Sequence, residues 1–71
     1  MKINYFKTLL EAANGNPSSQ FEMGLIYEHG IGVDKSTIVA VKWFKLAEDQ
    51  GNVNAKIKLN YLYFNRDIKH Q

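Results

Sequence analysis

The chain has 71 residues, of which 45% are hydrophobic, 13% aromatic and 23% charged, a composition that suits one globular domain and leaves no room for a second. Cysteine is absent, so disulfides and thiolate metal sites are excluded as sources of cohesion in a fold that buries only roughly 60% of the surface its unfolded chain exposes. The net charge of +2 is uneven: residues 1–50 carry five lysines against six acids, whereas residues 51–71 carry Lys56, Lys58, Arg66 and Lys69 against Asp67 alone.

Apolar spacing and helix punctuation predict four helices, at 3–13, 17–29, 36–49 and 53–65, followed by a charged tail at 66–71. The first helix ends at Gly15, which can take the left-handed conformation that stops a helix. Asn16 can cap the second, which Pro17 begins; proline at the first position has no N–H to leave unsatisfied. Gly30-Ile31-Gly32-Val33 reads as a tight connector between antiparallel helices. Ser36 can cap the third helix, and Gly51 ends it. No leader with an apolar core and no apolar run of about 18 residues is seen, so neither a secretory signal nor a membrane span is expected. The setting is read as cytoplasmic. The opening methionine and polar tail suit a complete product, with a fragment of a longer array as the alternative.

An internal repeat organises these elements. Residues 15–27 align without a gap onto residues 51–63, an offset of 36 (51 minus 15), with identity at Gly15-Asn16/Gly51-Asn52 and Tyr27/Tyr63. Apolar residues exchange at Phe21/Ile57, Met23/Leu59 and Ile26/Leu62. Upstream of each copy stands a helical stretch, Tyr5-Phe6-Lys7 through Ala13 and Trp43-Phe44-Lys45 through Ala47.

From Ala13 to Gly51 the chain resembles the Sel1-like repeat family, relatives of the tetratricopeptide repeats whose paired helices stack into a superhelix. Gly15, Phe21, Met23-Gly24, Tyr27, Gly30-x-Gly32-Val33, Ala40, Trp43-Phe44, Ala47 and Gln50-Gly51 carry the resemblance. It implies an all-α fold of antiparallel helix-turn-helix repeats, a short α-solenoid. The division is an N-terminal helix at 1–14, a complete repeat at 15–50, the first helix of a following repeat at 51–65 and the tail at 66–71. The sequence departs from the family at Ser36, where an acidic or amide residue is usual, and at Glu48, which replaces a small residue. In the second copy Asn60 replaces the packing glycine and Asn65-Arg66-Asp67 replaces the glycine-rich connector.

At about 100° per residue, Ser19, Met23, Gly24 and Tyr27 share one arc, which the resemblance buries against a partner helix. The opposite arc holds Phe21, Leu25 and Glu28, bordered by Ser18, Glu22 and His29. Its counterpart in the second copy holds Ile57, Tyr61 and Phe64, bordered by Asn54, Lys58 and Asn65. By resemblance these arcs line a concave groove, which makes Phe21, Leu25, Glu28, Ile57, Lys58, Tyr61 and Phe64 the candidate partner-binding residues. In the competing reading the first helix folds over Phe21 and Leu25 and makes them ordinary core. Because solenoid units bury their apolar faces against neighbours, about two repeats of helix are expected to need a partner protein or a second copy of the chain.

Patterns for chemistry are weak. Lys35-Ser36 after a glycine-rich turn lacks the glycines of a phosphate loop, and Gly30-x-Gly32 lacks the third glycine of a dinucleotide site. His29 and His70 stand far apart in sequence, and Glu28 beside His29 is not a chelating spacing on a helix. No serine sits in a nucleophile context, and about four short helices can scarcely enclose a water-excluding pocket. Glu48-Asp49 reads as a solvated helix end. No enzymatic activity, cofactor or metal is expected. The expected function is a small protein-binding module, an inhibitor, immunity-type protein or regulatory adaptor, since so short a chain has little surface for several partners. The alternative is a nucleic-acid accessory protein that meets phosphates with Lys56, Lys58, Arg66 and Lys69 and stacks bases on Tyr61 or Phe64.

Overall fold

The computed structural model describes residues 4–69, with side chains through residue 65. The predicted helix start at residue 3, His70, and the side chains of Arg66, Asp67 and Lys69 lie outside the described residues. Four helices follow one another: α1 (Tyr5–Ala13), α2 (Pro17–His29), α3 (Thr37–Asp49) and α4 (Val53–Lys69). Each packs chiefly on its neighbour in sequence, and the α2–α3 contact is the most extensive. The architecture is all-α.

The repeated Gly-Asn pair shows how a short sequence turns the chain twice. At the end of α1 the Gly15 N–H donates to the Ala12 carbonyl and the Asn16 N–H to that of Glu11; after α3 the Gly51 N–H donates to Glu48 and the Asn52 N–H to Ala47. The glycines stand at φ 101° and 91°, a region costly for any residue with a Cβ. Each asparagine then begins the next helix. The Asn16 side chain accepts from the Ser19 N–H at 3.0 Å, and that of Asn52 from the Ala55 N–H at 2.8 Å. Asn4 and Ser36 cap α1 and α3 in the same way, so these helices begin at Tyr5 and Thr37, one to two residues later than the spacing predicts.

The end of α4 is a larger correction. The helix continues four residues past the predicted stop at Asn65, to Lys69. Asn65-Arg66-Asp67 occupies the place of a glycine-rich connector but contains neither glycine nor proline, so nothing interrupts the ladder of backbone hydrogen bonds.

Phe44, Met23 and Ile26 are the largest fully buried side chains, each worth about 1.5–3 kcal/mol by transfer from water. They belong to two clusters. Met23 and Ile26 with Ala12 form one, faced by Tyr5, Leu9, Val33 and Trp43; Phe44 with Ala40, Ala47, Ala55 and Leu59 forms the other, faced by Phe21, Leu25, Val41 and Leu62. Tyr27 touches both. The α2 arc predicted to bury against one partner helix is therefore shared between two: Met23 packs in the cluster containing Ala12 of α1, whereas Gly24 lies against α3. A Cβ at Gly24 would overlap the Phe44 ring, so only glycine permits this approach.

Polar groups tie the same interfaces. Tyr5 and Tyr27 share a hydroxyl–hydroxyl hydrogen bond of 2.8 Å between α1 and α2, and Ser19 Oγ donates to Glu11 Oε1 at 3.0 Å. Gln20 Nε2 donates to the Ala12 carbonyl at 3.1 Å, while its Oε1 accepts from Gln50 Nε2 at 2.8 Å. One buried glutamine thus connects the ends of α1 and α3.

Candidate functional site

The position of α1 decides between the two readings of Phe21 and Leu25. It packs in the Met23–Ile26 cluster and leaves the Phe21–Leu25 arc to α3 and α4, so these residues are half-buried for a different reason from the one the competing reading supplies. The Phe21 ring lies 5.6 Å from that of Phe44, centroid to centroid, at a tilt of 44°. Leu25 packs beside it against the same cluster.

Where α4 passes α2, a groove of about 470 Å³ opens between them, lined by Phe21, Glu28 and His29 on one side and Asn54, Ile57, Lys58 and Tyr61 on the other. Five of the seven predicted residues line it: Phe21, Glu28, Ile57, Lys58 and Tyr61. Leu25 lies beneath, in the packed layer. Phe64 lies farther along α4 outside the lining residues.

Repeat symmetry makes the exposure of the α4 residues informative. Ile57 and Tyr61 occupy the places that Phe21 and Leu25 hold one repeat earlier, yet they are 60% and 57% exposed, and Phe64 is 65% exposed. The difference is the neighbour. The earlier pair packs against a cluster that includes Ala55 and Leu59 of α4, while among the described residues no helix lies beyond α4.

An ion pair closes the floor of the groove. Lys58 Nζ donates to Glu28 Oε2 at 3.0 Å and stands 2.9 Å from Oε1, and His29 Nε2 approaches Oε1 at 3.4 Å. The Glu28 side chain is only 12% exposed and that of Lys58 27%, so both charges have left most of their water. The same ammonium lies 5.7 Å from the centroid of the Tyr61 ring, within cation–π range. The sequence places Glu28 and Lys58 on the groove but does not pair them, because they are not repeat equivalents: Glu28 corresponds to Phe64, and Lys58 to Glu22.

The groove thus sets the apolar surfaces of Phe21, Ile57 and Tyr61 around the Glu28–Lys58 pair. Among the described residues no three histidine, cysteine or carboxylate side chains converge as a metal site would need, and no helix is long and apolar enough to cross a membrane.

Comparison with known proteins agrees with this architecture. A family model of the Sel1 repeat matches residues 17–52, from the first residue of α2 to the cap of α4. The chain is similar to DAP3-binding cell death enhancer 1 of Rattus norvegicus, 36% identical over 61 residues that make up 86% of this chain and 12% of that protein. Chitin synthase regulator SKT5 of Saccharomyces cerevisiae is 43% identical over 53 residues, covering 69% of this chain and 8% of the relative. The putative sel1-like repeat-containing protein L21 of Acanthamoeba polyphaga mimivirus is 39% identical over 56 residues, covering 79% and 10%. The chain spans about a tenth of the length of these curated relatives. No solved structure matches it. A repeat match covering more than half of the sequence coincides with one complete helix pair and with flanking helices that reuse its turn and cap, and the chain belongs to the Sel1 repeat family.

Proposed function

We propose that this chain acts by holding a segment of a partner protein in the groove between α2 and α4, in a regulatory role such as an adaptor, inhibitor or immunity-type protein. Sel1 repeats are protein-interaction modules, and the family membership supports that much directly. The names of two relatives, a DAP3-binding protein and a regulator of chitin synthase, describe proteins that act on other proteins and support the regulatory part. The observation that carries the reading is the exposure of Ile57, Tyr61 and Phe64 on the second copy of an arc that is half-buried in the first. Contiguous exposed apolar surface on a small domain marks a site of association.

A pull-down with the wild-type chain and a Tyr61→Glu/Phe64→Glu double variant tests it. Both positions are exposed, so the variant keeps its helix content by circular dichroism. The partner is expected to be lost from the variant; equal recovery from both chains removes the groove as the binding site.

A further inference from the structure

We draw no further inference here: the strongest candidate, the exposed apolar patch that Val53, Ile57, Tyr61 and Phe64 form along α4, carries none because nothing in the structure shows what covers it.

Discussion

Lys58 on α4 reaches Glu28 on α2, 30 residues earlier in the chain, and brackets its carboxylate at 2.9 and 3.0 Å. The pair spans the two walls of the groove. Removing one partner strands the other charge where water is scarce, whereas removing both leaves no charge to solvate. Lys58→Met is therefore expected to destabilise the fold by about 1–3 kcal/mol, less than a fully buried pair would lose because Lys58 keeps some access to water. Adding Glu28→Gln should recover most of that loss. Urea unfolding of the two single variants and the double variant measures the coupling, and strictly additive losses would show that the two charges do not act together.

Gly24→Ala separates helix propensity from packing. Alanine is favoured over glycine inside a helix by about 1 kcal/mol, so a position governed by propensity would gain stability. Here the new methyl group meets the Phe44 ring, which is fully buried. A net loss of about 1–3 kcal/mol is expected by thermal or urea unfolding, partly restored by Phe44→Leu in the same chain.

The two asparagines that follow Gly15 and Gly51 perform one task, so their loss should cost alike. Asn16→Ala and Asn52→Ala each remove the acceptor for an N–H in the first helical turn, and each is expected to lower stability by about 1 kcal/mol. Replacement by aspartate or serine should cost far less. A cost confined to one of the two sites would contradict the shared role.

Alkaline pH should loosen the contact between α1 and α2. The hydrogen bond to Tyr5, then burial, then the charge Tyr5 itself would carry hold the Tyr27 phenol above its ordinary value of 10.0. A group whose pKa is raised on folding contributes stability that is complete below the unfolded value and lost as pH rises through the folded one. Unfolding free energy should therefore decline above pH 10, and Tyr27→Phe should flatten that decline while costing stability at neutral pH. A variant with the same alkaline slope as the wild type would place the sensitivity elsewhere.

Much of this architecture is legible in the sequence because punctuation and periodicity are local. Asn16, Pro17 and Ser36 mark helix starts by chemistry that needs no distant contact, and the 36-residue offset transfers the Gly-Asn turn from one copy to the other. What stays hidden depends on how helices lie against each other. The sequence shows that Met23 and Gly24 share an apolar arc but not that they face different helices, and it cannot say whether α1 covers Phe21. The Glu28–Lys58 pair links non-equivalent repeat positions, so alignment of the copies looks past it. The overrun of α4 has a simpler origin: Asn65-Arg66-Asp67 replaces the glycine-rich connector, and glycine is what stopping the helix there would require.

Packing between successive helices gives the groove a thermodynamic dependence on its outer wall. Helix α4 is held by α3 on one face and by Lys58 at the groove floor, with its opposite face in water. Among the described helices, one packed on a single neighbour opens at less cost than the central pair. When α4 lifts away, Ile57, Lys58 and Tyr61 leave together and the groove ceases to exist. The apparent affinity for any ligand of the groove is then the intrinsic affinity multiplied by the docked fraction of α4, so substitutions on the α3 side of that helix can tune binding without touching the ligand.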